Sequence, residues 1–368
     1  MLTEVRNPEA RQGASWHADW DRAREHFAKW WRREGLVLSI TAPARHPHAQ
    51  LLAPPVPQDQ RIRWTDPAYR FARAEHQLSQ TFFGGDAVPF FDTHIGPGSL
   101  GMFLGSEPQF TPRTVWYEPC MDDLQGHPKL QFNPQNQWYR AQRALIEEGV
   151  RRAAGRFLVG MPDLIENIDT LAQLRGSEQL LFDMIEQPAA VEQRLWEIND
   201  AFFASFDALY KLIKDERDGN AFSAFWLWGP GKTAKLQCDA SAMFSPQMFR
   251  QFVAPPLAEQ CKWLDYALYH LDGTQALCHL DALLEIDPLE AIQWTPQAGQ
   301  PQCGNPQWYE LYQRIKRAGK GLQVFSVELD EVVPLIETVG PEGLFIITTA
   351  AKTQDDAERL LQRIEQFY

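Results

Sequence analysis

The chain has no apolar run long enough to cross a bilayer, which takes roughly 20 residues. Its first residues, with Glu4, Arg6, Glu9 and Arg11, do not form the apolar segment of a secretory signal. It also lacks cationic excess: 35 Lys and Arg stand against 48 Asp and Glu, a formal charge of −13. That balance argues against nucleic acid or an anionic membrane as partner, since both require clustered positive charge. Cysteine pairs are missing too. Cys120, Cys238, Cys261, Cys278 and Cys303 are odd in number and widely spread, with no Cys-x-x-Cys. They read as reduced, mostly buried thiols of a cytoplasmic protein. No Gly-x-Gly-x-x-Gly follows the first strand-like run, which weakens a doubly wound nucleotide-binding fold. Gly231-Lys232-Thr233 imitates the end of a phosphate loop, but Trp226 stands where the leading glycine is needed, so the backbone cradle cannot form.

What is present is a rhythm. With 368 residues, 44% of them hydrophobic, the chain can bury a large core. Eight strand-length apolar runs recur, at 36–42, 87–93, 157–163, 222–228, 266–272, 291–297, 322–329 and 344–349. Helically spaced stretches separate most of them, for example 137–152, 190–214, 246–264, 308–318 and 354–367. Strand then helix, eight times over, predicts an α/β fold of (β/α)₈ TIM-barrel type with an N-terminal helical extension. Residues 1–35 are expected to form a helical cap with Trp16, Trp20, Trp30 and Trp31 packed inward. Residues 36–368 are expected to form a single barrel domain. The Pro-rich stretch 43–67 and the segment 96–134 read as insertions.

In such a barrel the chemistry lies at the carboxyl ends of the strands. The second run ends with Asp92 and His94 on one face, and the third with Asp163, then Glu166 and Asn167. The fourth carries Trp226 and Trp228, followed by Asp239; the sixth gives Trp294 and Gln297; the seventh gives Ser326 and Glu328. The fifth, Asp-Tyr-Ala-Leu-Tyr-His-Leu-Asp-Gly at 265–273, is the most informative. Side chains two apart on a strand share a face, so His270 and Asp272 converge as a metal-ligand or acid/base pair. A hydrogen-bonded histidine at a solvated strand end is the plain alternative. Polar groups at nearly every strand end are hard to explain as core packing and point to a small-molecule site. Other motifs have bland readings: His46-Pro47-His48 as solvated loop, Cys278-His279 as a packed thiol beside an imidazole.

Several segments in serial order resemble the uroporphyrinogen decarboxylase superfamily, more closely its corrinoid-linked methyltransferase branch. They are Gly85-Asp86-Ala87-Val88-Pro89, Gly96-Pro97 with Leu104-Gly105, residues 169–176 running on to Asp183 and Pro188, Asp239 with residues 244–250, and the His270-x-Asp272-Gly273 strand. The resemblance spans residues 30–368 and implies a (β/α)₈ barrel. The methyl-transferring members are similar in holding zinc with His-x-Cys and a later Cys. Here His270 matches the histidine, Asp272 replaces the first Cys, and residues 348–351 offer no Cys. The remaining His270, Asp272 and Glu328 form a nitrogen/oxygen set suited to a catalytic divalent metal with open positions, zinc foremost. The Arg-Gln-Ala-Gly-Arg pattern of the decarboxylase members is absent, which disfavours a porphyrinogen substrate.

These readings predict a metal-dependent methyl (one-carbon) transferase acting on a small molecule, with a corrinoid carried by a partner protein. A metal-assisted lyase or decarboxylase and a non-catalytic ligand-binding barrel remain as alternatives. Asp163, Asp239 and Glu166 are expected to orient substrate or move protons. Asp92, His94, Trp226, Trp228, Trp294 and Gln297 are expected to bind it. Dimerisation through the outer helices fits this architecture.

Overall fold

Runs of alternating or continuous apolar residues become strands where helices cover them. The computed structural model describes residues 13–368; residues 1–12, including Glu4, Arg6, Glu9 and Arg11, lie outside it. A seven-stranded sheet runs in the order Thr81–Gly85, Val37–Pro43, Leu344–Thr348, Gly321–Val324, Ala291–Thr295, Tyr266–Asp272 and Thr233–Gln237. Every neighbouring pair is parallel except the first, where Thr81–Gly85 returns antiparallel along Val37–Pro43. A second arc pairs Phe90–Phe91 with Leu158–Val159, and a bridge from Met161 to Phe222 extends it in parallel.

The two arcs meet through a few hydrogen bonds, not ladders. At one end the chain passes from Thr81–Gly85 to Phe90–Phe91 through Asp86, whose amide donates to the Leu38 carbonyl at 2.7 Å and whose carboxylate accepts from the Leu38 amide at 2.9 Å. At the other junction, the Asn220 amide group donates to the Thr233 carbonyl at 3.1 Å and its oxygen accepts from the Thr233 amide at 2.9 Å. The architecture is therefore mixed α/β with a mostly parallel sheet; among the described residues the ladder does not close into the expected ring.

Three differences from the predicted elements matter. The run 222–228 is not one strand: Asn220–Phe222 and Leu227–Gly229 form an antiparallel hairpin, with Trp226 in the left-handed region (φ 47°). Thr233–Gln237 is a fully buried strand at the end of the sheet although it carries Lys235 and Gln237. Within the segment 96–134, Glu107–Phe110 and Val115–Glu118 form a separate hairpin. The helices follow their local signals more closely. Asn136 caps Gln137–Ala153, accepting from the Trp138 and Tyr139 amides. The segment 246–263 is helical but passes through a π turn at Phe249–Val253, just before Pro255 and Pro256, which bring no amide hydrogen to the helix.

Helix Trp20–Trp31 packs under the sheet. Trp30 and Trp31 are buried, and the Trp31 indole donates to the Trp228 carbonyl at 3.0 Å. Trp228 itself donates to Asp215 and packs edge-on against Trp20 and Phe27, so it belongs to this base layer and not to a ligand wall.

Because Asn220 joins the hairpin to the Thr233–Gln237 strand, removing its amide leaves a buried donor and acceptor unpaired. Asn220→Ala is expected to cost about 2–4 kcal/mol, read as a lowered midpoint of urea unfolding with an unchanged slope.

Candidate active site

The site is built on the register of the parallel sheet. Gln237, His270, Gln293 and Gln323 are successive partners across four adjacent strands. In-register residues of parallel strands project to the same face, so they form one polar row where a packed barrel would place Val, Leu or Ile.

The hydrogen bonds along this row fix its chemistry. Gln293 Nε2 donates to the Trp294 carbonyl and to Thr295 Oγ1, the latter at 2.8 Å, so its Oε1 is left as acceptor. His270 Nδ1 bonds that oxygen and must carry the proton. The Nε2 lone pair is then free for a cation. Burial first, and then the charge of Lys235, lower the His270 pKa, which keeps the ring neutral.

One ligand atom each from Asp239, His270 and Asp272 lie within 4.8 Å of one another. Asp239 thus stands beside the predicted pair. Glu328 is outside this group: its strand ends at Val324, Ser326 turns the chain at φ 52°, and the exposed Glu328 has its amide bonded to Glu331. The period-two reading fails there because the strand has already stopped.

A relay ties the trio to the chain's interior. Lys235, only 1% exposed, donates to Asp163 at 2.8 Å and to the Gln237 side-chain oxygen. Gln237 donates onward to Asp239 at 2.8 Å and to Asp169 at 3.2 Å. Asp169 in turn accepts from the Asp239 and Ala240 amides at 2.8 and 2.9 Å, which fixes the turn that carries Asp239. Burial, then the Asp239 charge, push the Asp169 pKa up to about 6. Asp239 is raised as well, first by burial and then by neighbouring acids, with Lys235 opposing. A crowd of carboxylates whose pKa values rise together is a place where a cation would be stabilised.

Glu166 has a different position from the one its spacing suggests. It is buried, and its Oε1 accepts from the Gln237 amide at 2.6 Å, satisfying a donor on the free edge of the last strand. Its Oε2 has no partner among the described residues, and burial pushes its pKa to about 8.

Beside this relay lies a cavity of about 510 Å³. Leu78, Phe83, Val88, Phe90 and Trp226 give it apolar walls, while Ser39, Thr41, Asp92, His94, Asp163 and Ser223 supply polar edges. Asp163 belongs to both the cavity and the relay. Ser223 Oγ has no partner among the described residues. Asp92 holds His94 Nδ1 at 2.6 Å; burial opposes its charge, but His94 and Arg70 outweigh that and keep its pKa low.

Two further predicted residues fall elsewhere. Trp294 is fully buried and packs against Trp308, because the strand that turns Gln293 inward must turn Trp294 outward. Gln297 accepts from the Thr274 amide and hydroxyl, at 2.8 and 2.6 Å, and so braces the turn after Asp272. Lys235, Gln237 and Gln293 were not anticipated. The available signal was the spacing of Thr233, Lys235 and Gln237 around Ala234 and Leu236, a strand with polar residues on one face.

No family model matches the chain, and no curated protein matches it in sequence. In structure it resembles a methyltransferase from Methanosarcina mazei, with a TM-score of 0.58 and 14% identity, over 94% of this chain and 99% of that one. At that identity the likeness establishes the fold. No helix among the described residues is long and apolar enough to cross a membrane.

The Glu166 shift has a sign that can be checked. The unfolded carboxyl loses its proton near its ordinary value, 4.5, whereas the folded one keeps it to about 8. Between those values the folded state binds more protons, so stability is full below the lower and falls as pH rises through the higher. Glu166→Gln keeps an oxygen for the Gln237 amide and removes the titration. Denaturant unfolding at pH 5 and pH 9 is expected to show a smaller loss in the variant than in the parent.

Proposed function

We propose that this chain is a metal-dependent enzyme of methyl (one-carbon) transfer. The observation that supports this most is the convergence of Asp239, His270 and Asp272, with the His270 tautomer set by Gln293. A neutral imidazole and two carboxylates fit a divalent cation, with zinc the first choice and open positions left for a substrate. Such an ion, when bound, withdraws charge from a substrate oxygen. The donor set contains no sulfur; Cys238 lies adjacent in sequence but is buried, its thiol held well above the usual range by burial.

The chain's own groups account for the rest. Lys235 neutralises Asp163 at the cavity edge, so a substrate group meets an oriented ion pair instead of a lone carboxylate. Asp169 and Gln237 position Asp239. Glu166 acts through the Gln237 backbone as a positioning residue, and the apolar walls with Trp226 exclude water from the substrate's body. In this reading the two sheet arcs make an incompletely laddered (β/α)₈ barrel, and a corrinoid carried by a partner protein would accept the methyl group at the strand-end mouth, the rest of the donor leaving as an alcohol. The fold shared with a protein titled a methyltransferase favours this over a lyase.

Metal analysis of the purified chain is expected to find about one divalent ion per chain. Both His270→Ala and Asp272→Ala are expected to abolish it; unchanged metal content in both would reject the metal centre. With free cob(I)alamin as acceptor and methyl ethers as donors, methylcobalamin formation is expected for the parent and absent in His270→Ala. Carbon dioxide release without methyl transfer would instead favour the lyase. Gln293→Leu leaves all three ligands in place but frees the ring. It is expected to weaken metal affinity about 10–100-fold, measured by competition with a chelating dye.

A further inference from the structure

A second cavity, of about 240 Å³, lies on the far side of the Asp92–His94 pair, and both residues line both cavities. The strand end at Phe91, Asp92 and His94 forms one wall, and three separate segments form the rest. Arg63 sits on helix Gln60–Thr65, Arg70 and Arg73 on helix Pro67–Ser79, and Arg113 at the tip of the hairpin between Glu107–Phe110 and Val115–Glu118. Four arginines and one carboxylate therefore line one small space, in a chain whose overall charge is −13.

These arginines are not held by acids. Arg70 is buried and spends its donors on backbone, giving two bonds to the Trp64 and His94 carbonyls and one to that of Asp92, each at 2.9 Å. It pins the strand end that carries Asp92 and His94, and its charge has no carboxylate partner in a direct ion pair. Arg63, Arg73 and Arg113 form no salt bridge with any described residue, although arginines elsewhere, such as Arg45, Arg156, Arg175 and Arg194, are paired. Planar guanidinium forks that outnumber the single carboxylate Asp92, itself already engaged by His94, recognise an oxyanion.

We propose that this arginine pocket binds an oxyanion, phosphate or carboxylate, carried by the substrate whose apolar body fills the larger cavity. The Asp92–His94 pair, shared by both spaces, then marks the junction between tail and body. The link to a substrate rests on the preceding reading of the larger cavity; the oxyanion site itself does not. Such a substrate is an amphipathic acid or phosphate ester, with its reacting end toward Asp163, which Lys235 and Gln237 link to the trio.

Calorimetric titration of the full chain with inorganic phosphate and, separately, acetate tests this. One of the two is expected to saturate a single site, and the tighter one names the oxyanion class. The Arg63→Ala/Arg73→Ala double variant, at one half-buried and one exposed position outside the metal trio, is expected to bind about tenfold more weakly or worse, since two charge-assisted donors are lost. Its metal content and circular dichroism are expected to match the parent. His270→Ala is expected to bind the anion as the parent does. Binding of neither anion, binding indifferent to the double substitution, or binding lost in His270→Ala would each overturn the proposal. A chain that binds the anion but no metal would overturn the metal reading and leave this one standing.

Discussion

The site depends on one hydrogen bond, from His270 Nδ1 to Gln293 Oε1, and that bond exists because two parallel strands are in register. A slip of one residue would turn His270 toward the outer helices and Leu271 toward the site. Gln293 is itself oriented by the Trp294 carbonyl and Thr295 hydroxyl, so the proton's place on the imidazole is determined two bonds away from the ring. Backbone geometry thereby decides which nitrogen can meet a cation. The same row continues to Gln323, whose amide donates to the Phe225 carbonyl at 2.9 Å and so ties the hairpin to the sheet.

Polar residues inside a parallel sheet have to be satisfied or they destabilise it. Here each solution creates part of the site. Lys235 is tolerable in the interior because Asp163 and Gln237 take its donors, and that arrangement brings Asp163 to the cavity edge. Glu166 supplies the acceptor that the last strand's edge lacks, and where the ladder fails to close a carboxyl group stands in for a neighbouring strand. Left-handed backbone at Ile165, Asn167, Trp226 and Ser326 gathers in the loops around these same strand ends. Each such residue costs on the order of 1–3 kcal/mol, a strain that a rigid sheet can hold and a loop alone could not.

Local signals in the chain carried far, and pairwise ones did not. The strand Tyr266–Asp272 coincides with its apolar alternation, and the Gly273 turn that follows it has φ 80°. Asp163 and Asp239 were legible as strand-end acids, but their connection through Lys235 was not, because Lys and Gln inside Thr233–Gln237 disguise a buried strand as a loop. Trp228 and Trp294 were misplaced by parity: one lies beyond a turn that breaks the alternation, the other one residue out of phase with Gln293. Glu328 failed for a related reason, since nothing in an apolar run announces that the strand stops at Val324. The arginine pocket was invisible in sequence because Arg63, Arg73 and Arg113 come from two helices and a hairpin that only tertiary packing brings together.

In the proposed reading, carboxylates stand where the resembled methyltransferases hold zinc with thiolates, and that alters more than the ligand list. Thiolates are soft donors that close a structural zinc site or deliver a bound thiol; carboxylates are hard and leave room for oxygen. The charge pattern around the trio agrees with an oxygen substrate. Asp169 and Asp239 are pushed toward protonation by burial and by neighbouring carboxylates, so a divalent ion would relieve stress already present in the fold. At the other side of the Asp92–His94 pair the sign reverses, with four arginines against the one carboxylate of Asp92. A molecule lying between would feel a gradient from cationic to anionic surroundings across an apolar chamber. In the proposed reading that gradient would orient a ligand before any contact at the reacting atoms is made, because its two ends could not exchange places without setting like charge against like.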